Sequence, residues 1–301
     1  MLANLLRDIL TRTKSKANIE GRPSAAVLKP AAKTIQEAGR HLLPPRSVAQ
    51  PHTMTSFFCP VFWGIQEQER ARVIEVVEDL TKSLQHGFHA ADNFICWGRN
   101  NSMFDDPGFA DAWKQNAESI SDEAIVWRRY ILATSAFHCV QLEGDFVECG
   151  AYTGVGVKTV VDYLGGTQFP KEFWAYDVFE HQDGMDNHPM PDVGPELFQR
   201  VQRKFNDYPQ VRIVKGRIPD SFEGNCPERI CYLHIDLNQA SAEIAALDHL
   251  FDRVVPGGMV ILDDYEWTAY RAQKLAEDVW FDARGYRVMP LPTGQGLVIK
   301  R

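Results

Sequence analysis

Two short acidic motifs, His234-Ile235-Asp236 and Asp263-Asp264-Tyr265, each close an apolar run of the sequence. If these runs form neighbouring strands, three carboxylates converge at one edge of a sheet. Close negative charges repel one another, and a carboxylate without a partner is costly to bury. A hard divalent cation removes both problems, and Mg²⁺ prefers oxygen ligands while leaving positions open for water or substrate. We therefore predict a Mg²⁺ site at Asp236, Asp263 and Asp264.

The chemistry that such a site favours is activation of a hydroxyl group. A bound Mg²⁺ lowers the pKa of a coordinated hydroxyl, and a nearby carboxylate can take the proton. We predict both roles, ligand and general base, for Asp236. His234 lies within the run and is expected to pack or hydrogen-bond. In the alternative interpretation Asp263 or Asp264 caps the next helix, which leaves Asp236 unexplained.

A glycine turn follows an earlier apolar run, in the stretch Val147-Glu148-Cys149-Gly150-Ala151-Tyr152-Thr153-Gly154. We expect Gly150 and Gly154 to let a ligand approach the backbone, with Glu148 and Tyr152 beside it. The spacing excludes a dinucleotide fingerprint, which would need glycine at 152 and 155. A purely structural turn is the alternative.

Two further strand ends carry polar residues that suit a nucleoside. Asp177 closes its run and could accept both ribose hydroxyls. The next run ends in Lys215-Gly216-Arg217-Ile218-Pro219-Asp220-Ser221, where Gly216, Asp220 and Ser221 could meet an adenine edge. Asp220 could equally cap a turn. We therefore predict a site for a nucleoside-containing cofactor. Its predicted binding residues are Glu148, Gly150, Tyr152, Gly154, Asp177, Gly216, Asp220 and Ser221.

The elements that position these residues are strands alternating with helices. The expected strands are 146–148, 173–177, 211–215, 230–236, 259–263, 286–291 and 297–300. The helices between them are expected at 154–164, 195–206, 240–253 and 268–283. This alternation predicts a doubly wound, mostly parallel α/β sheet. The last two strands are joined by a link too short for a helix and should form an antiparallel hairpin.

The N-terminal half has a different texture. We expect a loosely ordered basic extension over 1–60, with a short helix near 1–13, and a helical region over 61–143. Periodicity predicts helices near 66–85 and from Ser121 to about Gln141. Residues 105–107 are predicted to form a turn.

Composition limits the function classes. The net charge is −8, and the part after residue 50 is acidic, which disfavours nucleic acid as a partner. No apolar run reaches the roughly 20 residues of a membrane-spanning helix. The six cysteines include no C-x-x-C pair, so we expect a reduced, cytoplasmic protein.

The motifs together resemble the macrocin O-methyltransferase (TylF/MycF-type) family of class I S-adenosylmethionine (SAM)-dependent methyltransferases. The matching segments in residues 144–301 are 147–150, 176–180, 215–216, 234–236, 255–258 and 263–265. The segment 92–107 also resembles the N-terminal part of relatives. The resemblance implies a seven-stranded Rossmann-like sheet with a C-terminal hairpin, with SAM bound by Glu148, Gly150 and Asp177 and Mg²⁺ bound by the three aspartates.

The function that the resemblance implies is SAM- and Mg²⁺-dependent methylation of a hydroxyl on a sugar or glycosylated small molecule, by a homo-oligomer. The chain departs from the family at His181, where glycine is usual, and at Asn238 and Ala240, where aspartate and tyrosine are usual. One alternative is therefore an amine or phenolic acceptor. Another is a catalytically silent SAM-binding protein.

Two further features concern the acceptor. The segment 181–195 is long and polar, and it is expected to be either a lid over the acceptor or a surface loop. Trp97, Arg99 and Trp267 are candidates to stack on or hydrogen-bond a sugar, although aromatic residues at such places are more often core.

Overall fold

The computed structural model describes residues 56–84, 86–181, 185 and 190–301. The predicted basic extension therefore lies almost wholly outside the described residues, as does part of the predicted lid. Within the described part of the chain, no helix has both the length and the apolar character needed to cross a membrane.

A seven-stranded sheet forms the centre of the C-terminal half. The ten strands of the described chain are β1 (Phe57–Phe58), β2 (His89–Ala91), β3 (Phe94–Cys96), β4 (Asp145–Cys149), β5 (Phe173–Asp177), β6 (Val211–Lys215), β7 (Ile230–Ile235), β8 (Val254–Leu262), β9 (Met289–Pro290) and β10 (Gly296–Ile299). Strands β4 to β10 form the large sheet in the order β6-β5-β4-β7-β8-β10-β9. The first five strands pair in parallel. Strand β10 runs antiparallel to both of its neighbours, so the sheet ends in the predicted hairpin.

The helices of the described chain are α1 (Glu67–Ser83), α2 (Pro107–Asn116), α3 (Ile120–Ala124), α4 (Val126–Cys139), α5 (Val155–Tyr163), α6 (Leu197–Lys204), α7 (Ala240–Leu250) and α8 (Arg271–Asp282). Helices α2 and α4 to α8 contribute side chains to the two cores that flank the large sheet. One apolar core contains side chains of α2, α4, α5 and α6. The other contains side chains of α7 and α8. The strands between the two cores are buried on both faces, which is why they read as continuous apolar runs. This architecture is the predicted class I methyltransferase fold.

The N-terminal region contains a small sheet that the sequence did not predict. Its order is β1-β2-β3, and its strands are two or three residues long. The turn between β2 and β3 consists of Asp92 and Asn93, which both adopt left-handed backbone angles, with φ of 51° and 55°. Such short strands give little periodicity, so the pattern of a strand is not visible in the sequence.

Two helices in this region differ from the predictions. The chain turns at Asp105, where its N donates to Ser102 O at 3.1 Å, but an unpredicted helix, α2, follows at once, capped by Asp106, whose side chain accepts from Phe109 N at 3.2 Å. The helix expected from Ser121 is two helices, α3 and α4, and the cap is Ser119, whose hydroxyl accepts from Asp122 N. In both cases a side-chain oxygen at the N-cap satisfies a free N–H group of the first helical turn.

Candidate functional site

A cavity of about 360 Å³ lies at the carboxyl ends of the central strands. This is where an open α/β sheet binds its ligand. Of the residues predicted to bind the cofactor, Gly150, Tyr152, Asp177 and Gly216 line the cavity. Asp236, the predicted base, lines it as well. Glu148, Gly154, Asp220 and Ser221 are not among its lining residues.

The glycine turn is shaped by contacts within the protein. A Cβ on Gly150 would overlap the carbonyl oxygen of Asp236, and Gly150 has a φ of 96°. A Cβ on Gly154 would come 2.9 Å from the ring of Phe205. Both glycines are therefore required by packing between neighbouring elements, whereas the sequence suggested that they admit a ligand. Only Gly150 also faces the cavity.

Asp177 is held in place by the backbone on both of its oxygens. One oxygen accepts from Tyr152 N at 2.7 Å and the other from Phe179 N at 2.6 Å. Burial raises the pKa of this carboxyl, and the two amides oppose the rise. Each oxygen keeps a second lone pair, so the fixed carboxylate can accept hydrogen bonds from the paired hydroxyls of a ribose.

Tyr152 links the glycine turn to the predicted lid. Its hydroxyl donates to Asp192 Oδ2 at 3.0 Å and accepts from Asp192 N at 3.1 Å. Met185, Met190 and Val193 of the same segment line the cavity. The described part of this segment therefore covers the cavity from one side.

The third strand end contributes different residues from those predicted. Gly216 lines the cavity together with Arg217, Ile218 and Pro219. Asp220 and Ser221 instead begin a short 3₁₀ turn, Asp220–Phe222. The sequence predicted correctly that polar residues follow this strand. It could not show which of them face the cavity, because residue types do not determine the direction of the turn.

Glu148 lies inside the sheet, with only 2% of its surface exposed. Its Oε2 is 3.0 Å from Nδ1 of His234 on the adjacent strand β7. The Nε2 of the same ring is 3.7 Å from Asp263 Oδ1. His234 thus connects the glycine-turn strand to the acidic cluster, and it occupies the packed position expected from its place within the strand.

The three predicted metal ligands lie together at the ends of β7 and β8. The two strands are parallel neighbours, and their ladder continues one residue further, with Asp263 N donating to Ile235 O at 2.9 Å. Donor atoms of His234, Asp236 and Asp263 lie within 4.8 Å of one another. Asp264 lies next in the chain and has a left-handed φ of 55°.

Arg128 of α4 is the main positive charge in this cluster, and the sequence interpretation did not include it. Its guanidinium Nη2 donates to Asp263 Oδ2, and it also donates to Asp264 Oδ1 at 2.6 Å. Its Nε lies 3.8 Å from Asp92 Oδ2. The signal in the sequence was a charged residue four positions before Leu132 on the buried stripe of an apolar helix. Arg128 is only 9% exposed, so its charge must be paired.

Charge in the cluster remains unbalanced at Asp236. Its pKa is raised well above the ordinary value by burial and by the charges of Asp263 and Asp264. Burial and Asp263 also raise the pKa of Asp264, to about 7, against the opposing effect of Arg128. Burial would raise the pKa of Asp263 as well, but Arg128 and His234 hold it below its usual range. Arg128 and His234 together therefore leave the charges of Asp236 and Asp264 uncompensated.

These residues fit a hard divalent cation. Asp236 receives one side-chain hydrogen bond, from Asn238 Nδ2 at 3.3 Å, and Asp263 offers oxygens beside it. An ion held by Asp236 and Asp263 would supply the missing positive charge while sharing Asp263 with Arg128. Oxygen donors in this number suit Mg²⁺.

Part of the chain is similar to known methyltransferases. Residues 132–280 match the family model described as Macrocin-O-methyltransferase (TylF). Over 146 residues the chain is 29% identical to 8-demethyl-8-(2,3-dimethoxy-alpha-L-rhamnosyl)-tetracenomycin-C 4'-O-methyltransferase of Streptomyces olivaceus, covering 42% of this chain and 55% of that protein. Over 158 residues it is 29% identical to Mycinamicin III 3''-O-methyltransferase of Micromonospora griseorubida, covering 42% of this chain and 60% of that protein. The matches span less than two thirds of the length of either relative.

Solved structures with a similar fold include two methyltransferases. The O-methyltransferase NovP aligns with a TM-score of 0.48 at 18% identity, covering 58% of this chain and 80% of NovP. The calicheamicin methyltransferase CalS11 aligns with a TM-score of 0.49 at 12% identity, covering 81% of this chain and 97% of CalS11. Both scores are below 0.5, so the fold assignment rests on the strand order described above.

Proposed function

Because residues 132–280 match the family model described as Macrocin-O-methyltransferase (TylF), we propose that this protein is a Mg²⁺-dependent SAM O-methyltransferase that acts on a sugar hydroxyl of a glycosylated small molecule. The observation that carries the proposal is the position of Asp236. This residue lines the cavity at the strand ends, and it also belongs to the acidic cluster. One carboxylate therefore lies between a site suited to the methyl donor and a site suited to a metal-bound hydroxyl.

The donor site is proposed to use Asp177 for the ribose hydroxyls, with the Gly150 turn and the Gly216 strand end as its walls. Both Asp177 oxygens are fixed by backbone amides, so the carboxylate does not need to reorganise when the ligand arrives. Alignment matters most for this reaction, because the sulfonium of SAM already activates the methyl group. The described lid residues Met190 and Val193 would help to exclude water.

The acceptor hydroxyl is proposed to lie next to Asp236. Mg²⁺ held by Asp236 and Asp263, with Asp264 nearby, would lower the pKa of that hydroxyl. Asp236 takes the hydroxyl proton as the new O–C bond forms. The C–S bond breaks in the same step, and sulfur keeps its electron pair. Asn238 supports this role, since its amide donates to Asp236 where an aspartate would add a further repelling charge.

Calorimetric titration of SAM into the full chain, with and without excess Mg²⁺, is the first test. We expect micromolar SAM binding, followed by methylation of glycosides only when a divalent ion is present. An absence of SAM binding by folded protein would contradict the proposal. Turnover that persists after exhaustive treatment with EDTA would contradict the metal dependence alone.

The cellular setting is proposed from the cysteines. The six cysteines are all free, which suits a reducing compartment such as the cytoplasm. Self-association is proposed from the family resemblance, and size-exclusion chromatography with light scattering would test it.

A further inference from the structure

Two glutamates of neighbouring helices, Glu243 of α7 and Glu277 of α8, are fully buried. Neither lines the cavity at the strand ends, and neither belongs to the proposed metal site. A buried carboxyl group is costly unless its oxygens are hydrogen-bonded. Two such groups side by side therefore require a physical explanation.

Glu243 holds the peptide bond that follows Asp236. Its Oε1 accepts from Leu237 N at 2.8 Å, and this N–H belongs to the peptide group that joins Asp236 to Leu237. The carbonyl oxygen of the same peptide group packs against Gly150, where a Cβ would come within 1.8 Å of it. Because a peptide group is planar, contacts at its two ends fix its orientation.

The peptide bond on the other side of Asp236 is held as well. Asp236 N donates to Cys149 O at 2.8 Å. The two flanking peptide groups together determine the direction in which the Asp236 side chain leaves the backbone. Asn238, whose amide donates to Asp236, has a left-handed φ of 58°. Such a conformation persists where surrounding contacts hold it, and the contact between Glu243 and Leu237 N is one of these.

Glu277 supports Glu243 from α8. The two carboxyl groups are close enough for a hydrogen bond between them, and no donor among the described residues reaches Glu243 Oε2 or either oxygen of Glu277. The nearby Lys274 is paired with Asp278 at 3.1 Å. Two carboxylates cannot hydrogen-bond to each other without a proton. The pair therefore holds at least one proton, in agreement with the raised pKa of Glu243.

A pair of acids that shares a proton suits this place better than a lone carboxylate or an apolar side chain. A lone carboxylate at 243 would add a full negative charge beside a cluster in which Asp236 and Asp264 already repel each other. An apolar side chain would leave Leu237 N without its acceptor. The shared proton lets Glu243 keep one oxygen on Leu237 N while it adds little charge.

We infer that Glu243 is a positioning residue, which, supported by Glu277, fixes the Asp236–Leu237 peptide bond and so directs the Asp236 carboxylate into the acidic cluster. Both glutamates act through the backbone of Asp236 and not on the reacting atoms. The consequence for metal binding rests on the proposed function. The contact itself rests on the geometry of the chain.

Amide hydrogen exchange in the full chain, followed by NMR, measures the contact directly. Leu237 N–H should exchange at least about tenfold faster in Glu243→Leu than in the wild type, because its acceptor is lost. Glu243→Gln should keep the slow exchange, since its amide oxygen can accept from Leu237 N and its amide nitrogen can donate to Glu277. Glu243→Asp is one methylene too short to reach Leu237 N and carries the test should Glu243→Leu fail to fold. Equal exchange in the wild type and these shortened or apolar variants would overturn the inference.

Binding of Mn²⁺, a divalent ion that electron paramagnetic resonance detects when free, measures the consequence for the acidic cluster. We expect Glu243→Leu and Glu243→Asp to weaken Mn²⁺ binding by about tenfold or more, as for other groups that orient metal ligands, and Glu243→Gln to weaken it by about twofold at most. Recovery in the glutamine variant is the sign of positioning. A loss in Glu243→Gln as large as in Glu243→Leu would contradict it.

Leu250→Ala is the matched control for a general loss of stability. Leu250 is fully buried in the core that contains α7 and α8, about two turns along α7 from Glu243. Its truncation leaves a cavity and should lower the melting temperature, while the folded protein binds Mn²⁺ as the wild type does. If Leu250→Ala weakened Mn²⁺ binding as much as Glu243→Leu, destabilisation would explain both effects and the inference would fail.

Calorimetry with SAM on the wild type separates this inference from the proposed function. If the wild type binds SAM and Mn²⁺ and the folded Glu243→Leu and Glu243→Asp variants bind Mn²⁺ equally well, the inference fails and the proposed function stands. If the wild type binds neither SAM nor Mn²⁺, the proposed function fails. The exchange rates of Leu237 N–H then decide alone whether Glu243 positions Asp236.

Discussion

Arg128 and Asp264 form a buried ion pair in which Nη2 donates to Oδ1 at 2.6 Å, and the same guanidinium also donates to Asp263. A residue of α4 is thus tied to the strand end that carries two proposed metal ligands. The pair brings positive charge to the cluster from within the chain.

Removing this charge should destabilise the protein. In Arg128→Gln, Asp263 and Asp264 lose their buried partner, which typically costs about 3 kcal/mol or more. We expect a lower melting temperature without metal and a larger gain on adding millimolar Mg²⁺ than in the wild type, because an ion can replace part of the missing charge. Thermal unfolding with and without MgCl₂ measures both effects.

The matched control for that variant is Arg212→Gln. Arg212 pairs with Glu172 on the surface at 2.7 Å, and exposed pairs contribute about 1 kcal/mol or less. Equal melting temperatures for the Arg128 and Arg212 variants would show that Arg128 does not stabilise the cluster.

Loss of Asp236 should separate chemistry from cofactor binding. We expect Asp236→Ala to abolish turnover, since it removes both a proposed metal ligand and the proposed base, while SAM affinity falls little because Asp177 and the glycine turn remain. Calorimetry for SAM and a methyl-transfer assay on the same preparation measure the two effects. Unchanged turnover would show that the roles of ligand and base are wrongly assigned.

Gly150 should tolerate no side chain. A Cβ there would overlap the Asp236 carbonyl, and the φ of 96° is unfavourable for other residues. Gly150→Ala is expected to lower stability by at least about 1–3 kcal/mol and to weaken SAM binding, because the cavity wall must move.

Gly194→Ala provides the comparison for that variant. A Cβ at Gly194 would meet no atom within 4 Å, so its stability and SAM affinity should match those of the wild type. If the Gly150 and Gly194 variants behaved alike, the close approach of the glycine turn to β7 would not be essential.

A buried pair of acids between α7 and α8 should make stability depend on pH. Burial raises the pKa of Glu277 to about 8, with a further contribution from Asp278. The pKa of Glu243 is raised well above its usual value by burial and by Glu277. The folded chain therefore holds protons that the unfolded chain releases near pH 4.5. Stability should fall as the pH rises from about 4.5 to 8, by at most about 1.4 kcal/mol per pH unit for each group.

Glu277→Gln should flatten this dependence and increase stability at pH 8, since the amide carries no charge at any pH in that range. Urea unfolding at pH 5, 6, 7 and 8 measures the slope. Equal slopes in the wild type and the variant would exclude Glu277 as a contributor. Glu228→Gln, at an exposed glutamate, is the control.

Much of the large sheet could be predicted from the sequence. Buried parallel strands read as apolar runs bounded by polar residues, and the predictions for 173–177 and 211–215 match β5 and β6 residue for residue. The acids at the strand ends were found for the same reason, because a polar residue that closes an apolar run stands at the sheet edge.

The partners of those acids could not be predicted in the same way. Arg128 reaches Asp263 across 135 residues of sequence, and Asp92 reaches Arg128 from a turn between strands of three residues each. Neither contact has a local pattern. Gly154 was found correctly as a turn residue, but its contact with Phe205 depends on how α6 packs. Local sequence shows where a turn occurs, whereas tertiary packing decides what faces it.

The continuation of the hydrogen-bond ladder past the strand ends has a consequence for how this chain can vary. Asp236 N donates to Cys149 O at 2.8 Å, and Asp263 N donates to Ile235 O at 2.9 Å. The spacing between the glycine turn and the acids is therefore fixed by main-chain atoms of adjoining strands. The segment 181–195 connects β5 to α6 and is not part of this ladder. It can therefore gain or lose residues without altering that spacing. Insertions there would change what covers the cavity while the reacting groups keep their alignment.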